Sequence, residues 1–240
     1  MCIRDRNIPT AYYALGGPLS ELVDLTKADG KSMTTVVGLG TGAMAAYADE
    51  DASMDFIEVD QQVIDVAEDP ELFTYLSDAR DRGAAVNTIL GDGRLKIGEL
   101  KDGSQDLIAI DAFSSDSIPV HLLTLEAFEE YAAKLKDDGM LAVHISNRIF
   151  DLSPIVVANA RELGYEVLLK TGKGDAEADP SDATWMVLTR DKSKVAELEA
   201  LPQEDLGQED DFRGRWLDFG SIEQILWTDD HSSVLEAIAR

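Results

Sequence analysis

Four stretches of this 240-residue chain put glycines or carboxylates at the end of a short apolar run, where a bound ligand could be held. Gly38-Leu39-Gly40-Thr41-Gly42 follows the run Thr34–Leu39 and leads into a helical pattern. Glycines at such a turn allow a tight reversal and a close approach of ligand to backbone, at the strand end where open α/β sheets bind ligands. Glu58 and Asp60 close the next run, Asp55–Val59, and a carboxylate there can accept both hydroxyls of a ribose. Gly91-Asp92-Gly93 follows the run Val86–Leu90, and Asp111 follows Leu107–Ile110. Gly38, Gly40, Thr41, Gly42, Glu58, Asp60, Asp92 and Gly93 are therefore the candidate nucleotide-binding residues. No Gly-Lys-Ser/Thr follows the glycine turn, so it is not a phosphate-cradling loop of the P-loop kind. Ser114 and Ser115 lack the G-x-S-x-G setting of a hydrolase nucleophile.

Positioning four such edges requires parallel strands. Further apolar runs at Met140–Ile145, Glu166–Leu169 and Thr184–Thr189 complete a set of seven. Amphipathic patterns at Ala43–Ala48, Gln62–Ala67, Arg94–Leu100, Leu123–Leu135 and Pro154–Leu163 lie between them. The fourth repeats apolar residues at Leu125, Phe128, Ala132 and Leu135, and Lys136-Asp137-Asp138-Gly139 predicts its stop. Alternation of nearly continuous apolar strands with helices predicts an α/β, Rossmann-like, seven-stranded and mostly parallel sheet with helices on both faces. Residues 34–192 form this nucleotide-binding domain. Residues 1–33 read as an N-terminal remnant, of which the basic 1–6 look like an artefact. Residues 193–240 read as an acidic loop or weak helix through Gly214, then a last helix over Ser232–Ala239 packed on the same domain.

Composition narrows the partners. With 47 acidic against 21 basic residues the formal charge is −26, which repels phosphate backbones and anionic lipid. Nucleic acid is excluded as a partner, and no apolar run of about 18 residues is present to span a membrane. The single Cys2 excludes disulfide scaffolds and Cys-rich zinc sites and fits a reducing, cytoplasmic compartment. The three histidines, His121, His144 and His231, have no ligand spacing, so no metal is expected. His144 reads as a satisfied core or strand-end residue, and Trp185 and Trp227 as core or pocket wall.

The acidic strand ends together resemble class I S-adenosylmethionine-dependent enzymes, in which the acid after the second strand holds the ribose and that after the third faces the adenine. That resemblance assigns these roles to Glu58 and Asp92. The stretch Asp111-Ala112-Phe113-Ser114-Ser115-Asp116-Ser117-Ile118-Pro119 further resembles the catalytic loop of spermidine synthases, the polyamine aminopropyltransferases. Val37–Tyr47, Phe56–Ala67, Phe73–Arg80, His144–Arg148 and Trp227–Leu235 look like bacterial spermidine synthase-like proteins, some of which carry a transporter-like membrane region upstream. The resemblance implies aminopropyl transfer from decarboxylated S-adenosylmethionine to a small cationic amine such as putrescine. It implies Asp111 as base and amine anchor, with Asp116 helping to bind the amine. Tyr12, Tyr13, Ser114, Ser115, Asp229 and Asp230 would stand against the substrate, although loop hydrogen bonding suffices to explain the two serines and a helix N-terminus the acid pair. A homodimer is the family's common state, and a cytoplasmic part of a longer membrane-associated protein is one expected context.

Two features depart from the family. Its Gly-Gly-Gly-Asp-Gly turn has an aspartate where this chain has Thr41, and the Asp111–Asp116 spacing is two residues longer. The alternatives are therefore a methyltransferase using intact S-adenosylmethionine, or a non-catalytic adenosyl- or polyamine-binding module.

Overall fold

A computed structural model describes residues 8–9, 13–14, 16–27, 30–113, 118–147, 149–172, 183–202, 214–220 and 222–238. Eight strands form one sheet in the order β3-β2-β1-β4-β5-β7-β6-β8. They are β1 (Ser32–Val37), β2 (Ala52–Glu58), β3 (Ala85–Leu90), β4 (Gln105–Ile110), β5 (Leu135–His144), β6 (Glu166–Gly172), β7 (Ala183–Thr189) and β8 (Leu217–Asp218). The first five pair in parallel, while β7 runs antiparallel to both β5 and β6. The expected seven strands are present, and the two-residue β8 adds an eighth, antiparallel to β6. Two residues carry no periodicity, which is why the sequence pattern did not announce it.

Alternate residues of each strand enter two separate cores, as the pleat requires. Val36, Met54, Phe56, Leu107, Ala109 and Trp185 face one side. There they meet α1 (Pro18–Lys27), α2 (Gln61–Glu68), α3 (Tyr75–Asp81) and α7 (Lys192–Glu199) through Leu22, Ile64, Leu76 and Leu198. Val37, Ile57, Ile108, Ile110, Val143 and Met186 face the other. That side is covered by α4 (Gly93–Gly98), α5 (Leu125–Lys134) and α6 (Ser153–Glu162) through Ile97, Phe128 and Val156. The N-terminal stretch is thus integral to the sheet packing: α1 buries Leu19, Leu22 and Val23, and Gly172 of β6 is required because a Cβ there would lie 2.4 Å from Pro18 Cδ.

Three local expectations are corrected. The pattern Ala43–Ala48 forms a 3₁₀ turn over Ala43–Tyr47, not an α-helix, and Arg82 caps it by donating to the carbonyls of Ala45 and Ala48. Helix α5 ends at Lys134, five residues before Gly139, because Leu135 already pairs with Gln105 as the start of β5. Gly139 instead permits close packing, since a Cβ there would stand 3.0 Å from the Gln105 carbonyl. The last helix is reduced to a 3₁₀ turn over Val234–Ala237, followed by a bridge between Ile238 and Phe150. The weak-helix reading after Ser193 corresponds to α7, which starts one residue earlier behind the Asp191 cap. Among the described residues, no helix is long and apolar enough to cross a membrane.

Candidate active site

Parallel register brings the four strand ends to one edge. Val37 pairs with Ile57 and with Ile110, and Glu58 pairs with Leu90, so Gly38, Glu58, Gly91 and Asp111 are neighbours one step on. The strand order reverses between β1 and β4, and a cleft of about 580 Å³ opens there, as expected of an open α/β sheet. Gly38 has φ 101°, and a Cβ at this position would lie 2.3 Å from the Asp111 carbonyl oxygen. Only glycine lets β1 and β4 approach this closely. Gly40, with φ 52°, also lines the cleft. Thr41 and Gly42 do not: Thr41 is exposed, and Gly42 packs its Cα against Leu76 as it opens the 3₁₀ turn.

Backbone amides from two loops fix Glu58. Its Oε2 accepts the Leu39 N–H at 3.1 Å and its Oε1 the Asp60 N–H at 3.0 Å. A carboxylate has about four acceptor sites, so both oxygens keep one for a ligand. Asp60 lines the cleft but spends Oδ1 capping α2 through the Gln62 N–H. Asp92 likewise caps α4 through the Leu95 N–H, and its Oδ2 lies 3.0 Å from His121 Nε2 across the cleft mouth. Gly93 is forced by β1, for a Cβ there would come within 2.3 Å of Val37 Cγ1.

Asp111 is the most enclosed of the cleft carboxylates, with 4% of its side chain exposed. Tyr13 donates its hydroxyl to Oδ2, and His144 Nδ1 lies 2.7 Å from Oδ1. His144 is itself buried, stacked on Trp185 at 4.6 Å and met edge-on by Phe113 at 4.9 Å. Its core reading holds, yet its partner is the carboxylate singled out for chemistry, a link 33 residues apart in sequence that no local pattern announces. Tyr13 is held in turn by Tyr47, whose hydroxyl donates to its carbonyl. Tyr12, Ser114, Ser115 and Asp116 lie outside the described residues.

Asp229 does not line this cleft. Its two oxygens accept a bidentate pair from Arg94 at 2.7 and 2.9 Å, and Thr124 donates to Oδ1 at 2.8 Å. Arg94 also grips Glu130, and the Leu125 N–H donates to the Trp227 carbonyl, so the C-terminal segment is clasped onto α4 and α5. Asp230 is exposed and likewise absent from the lining. Asp229 is thus held in a clasp with Arg94 and Thr124. Hydrogen bonds from Arg94, then Thr124, hold the Asp229 carboxyl below its ordinary value. A depressed carboxylate adds stability above the unfolded value near 4 and loses it as pH falls through the folded one. Asp229→Asn should therefore cost about 1 kcal/mol at pH 7, the range for a well-aligned but partly exposed pair, and progressively less below pH 4. Unfolding temperatures of both proteins at pH 7 and pH 3 check this, and a constant gap between them would contradict it.

Among the described residues, no three His, Cys, Asp or Glu side chains converge as metal ligands. No family model matches the chain. It is 30% identical to the polyamine aminopropyltransferase of Vibrio vulnificus over 123 residues, 48% of this chain and 39% of the relative. It is 25% identical to the N-terminal histidine N-methyltransferase of Emericella nidulans over 200 residues, 80% of this chain and 34% of the relative. The chain thus spans two-fifths or less of the curated relatives it matches. Among solved structures, a probable spermidine synthase from Corynebacterium glutamicum superposes with TM-score 0.63 at 17% identity, covering 92% of this chain and 80% of the other. A spermidine synthase in complex with the transition-state analogue AdoDATO gives TM-score 0.60 at 14% identity, covering 96% and 73%. Human methyltransferase-like protein 13 in complex with SAH gives 0.51 at 18%, covering 79% and 82%. The chain has the fold that spermidine synthases share with S-adenosylmethionine-dependent methyltransferases, and in sequence it resembles the spermidine synthase family.

Proposed function

We propose that this chain transfers an aminopropyl group from decarboxylated S-adenosylmethionine to a small cationic amine, putrescine being the simplest candidate. One observation carries the reading: Glu58, Asp60, Asp92 and Asp111 all line the cleft, and its described lining contains no Lys or Arg. The donor is a sulfonium with a protonated aminopropyl arm and the acceptor arrives as an ammonium, so every charge brought in is positive. Two unit charges about 4 Å apart repel by roughly 4 kcal/mol at an effective dielectric of 20. Carboxylates around them offset that repulsion. An intact methionine arm would add a carboxylate that meets no Lys or Arg in the described lining.

The chemistry follows from these groups. The amine nitrogen attacks the carbon beside the sulfonium, an N–C bond forms, and the C–S bond breaks with its electron pair passing to sulfur. Neutral methylthioadenosine leaves. Losing a proton from an alkylammonium at pH 7 costs about 4–5 kcal/mol, and Asp111 is the group to receive it. Asp116, Tyr12 and Tyr13 belong to the same proposal, as does Glu58 as ribose anchor.

The test is mass spectrometry of products after incubation with putrescine and both nucleotides, decarboxylated and intact. Methylthioadenosine with spermidine supports the proposal. S-adenosylhomocysteine with a methylated product supports the second reading, methyl transfer, which Thr41 and the similarity to a histidine N-methyltransferase favour. Neither product would point to a binding module. Glu58→Ala should weaken methylthioadenosine binding about tenfold or more, since hydrogen bonds to a charged group contribute about 1.5–3 kcal/mol. Unchanged affinity in calorimetry would remove Glu58 from the ribose.

A further inference from the structure

Asp111 ends a directed chain of hydrogen bonds. The Thr184 N–H donates to Ser146 Oγ at 2.7 Å, and that oxygen lies 2.8 Å from His144 Nε2. His144 Nδ1 lies 2.7 Å from Asp111 Oδ1. An ionised carboxylate accepts only, so Nδ1 carries a proton and donates it. With the Thr184 N–H already on the Ser146 oxygen, the serine hydroxyl proton is free to point at Nε2, which then accepts as the lone-pair nitrogen of a neutral imidazole. Each donor polarises the next, and all of them run towards Asp111.

The surroundings hold the ring in place. It stacks on Trp185 at 8° interplanar angle, and Phe113, lining the cleft and 38% exposed, closes its edge. Among the described residues, Asp111 from the end of β4 bonds the ring, and Tyr13 bonds the same carboxylate. From β7 the ring meets Trp185, and from the loop after β4 Phe113, neither of which ionises.

From this arrangement we infer that His144 is the positioning residue for the amine-binding carboxylate. Its Nδ1–H fixes the Asp111 rotamer and sustains the negative charge of the carboxylate towards the cleft. The kinetic arm of this inference rests on the aminopropyl-transfer reading.

The experiment compares wild type, His144→Gln and His144→Ala, with unfolding temperature and methylthioadenosine binding as controls for folding. Gln keeps an N–H donor for Asp111; Ala keeps neither donor nor ring. Methylthioadenosine release is followed as kcat and as KM for the amine, and H144Q should rescue most of what H144A loses. At pH 8, H144Q should stay within about tenfold of wild type, while H144A falls roughly a hundredfold, the scale of a misplaced reacting group. Equal kcat and equal KM for all three would overturn the inference. If wild type forms no aminopropyl product, the functional reading fails separately, and putrescine calorimetry at pH 8 decides this one. Weaker binding by H144A than by H144Q supports it, and equal behaviour of the three proteins overturns it.

Discussion

Asp111→Asn should lower aminopropyl turnover by roughly two to four orders of magnitude, the usual worth of a positioned base, while leaving the fold nearly untouched. The asymmetry follows from the contacts. Asn can accept the His144 Nδ1–H on its oxygen and donate its amide to the Tyr13 hydroxyl, so neither partner is left bare. What it lacks is a charge and a proton acceptor. The attacking amine then meets a neutral amide, and its proton has no carboxylate to join. The effect belongs mostly in kcat, with a smaller rise in KM for the cationic acceptor. Methylthioadenosine carries no amine arm, so its affinity should change little, and that affinity is the control for an intact cleft. Turnover within a factor of a few of wild type would remove Asp111 from the reaction.

The site was legible in sequence to the extent that it is local. Gly38, Glu58, Asp92 and Asp111 each close an apolar run, and parallel strands deliver run ends to one edge whatever the loops do. Spacing also singled out the glycine turn, but it could not separate roles within it. Gly38 and Gly40 face the cleft, whereas Gly42 serves the packing of Leu76. The same limit explains Asp229. An acid near a helix start looks alike whether it meets substrate or an arginine, and Arg94 is 135 residues away. Helix ends failed where pairing overrode propensity: Gly139 looks like a stop, but strand pairing at Leu135 ends α5 first. His144 was placed correctly as buried, yet its bond to Asp111 depends on β4 and β5 being neighbours, a fact of topology and not of periodicity.

The largest stability effect should come from Glu21→Ala. Lys170 of β6 is fully buried, and its ammonium lies 2.7 Å from Glu21 Oε1 on α1. The other Glu21 oxygen accepts the Trp216 indole N–H at 2.8 Å, joining α1, the sheet and the C-terminal segment at one point. Alanine would strand a buried positive charge and an indole N–H together. Removing one partner of a buried pair costs about 3–5 kcal/mol, which for a domain of this size lowers the unfolding temperature by roughly 6–20 °C. The attraction itself is not the source of that cost, because the pair's own desolvation nearly cancels it. Hence Glu21→Gln combined with Lys170→Met, which removes the charge and keeps an acceptor for Trp216, should lie within about 2 kcal/mol of wild type. A drop under about 2 °C for Glu21→Ala would refute the buried-charge account. The pair also bears on the site. Helix α1 begins five residues after Tyr13, and Ser20 on its first turn accepts the Gly16 N–H, so loosening α1 loosens the segment that brings Tyr13 to Asp111. Glu21→Ala should accordingly lose activity at temperatures well below its unfolding transition, whereas the double variant should not.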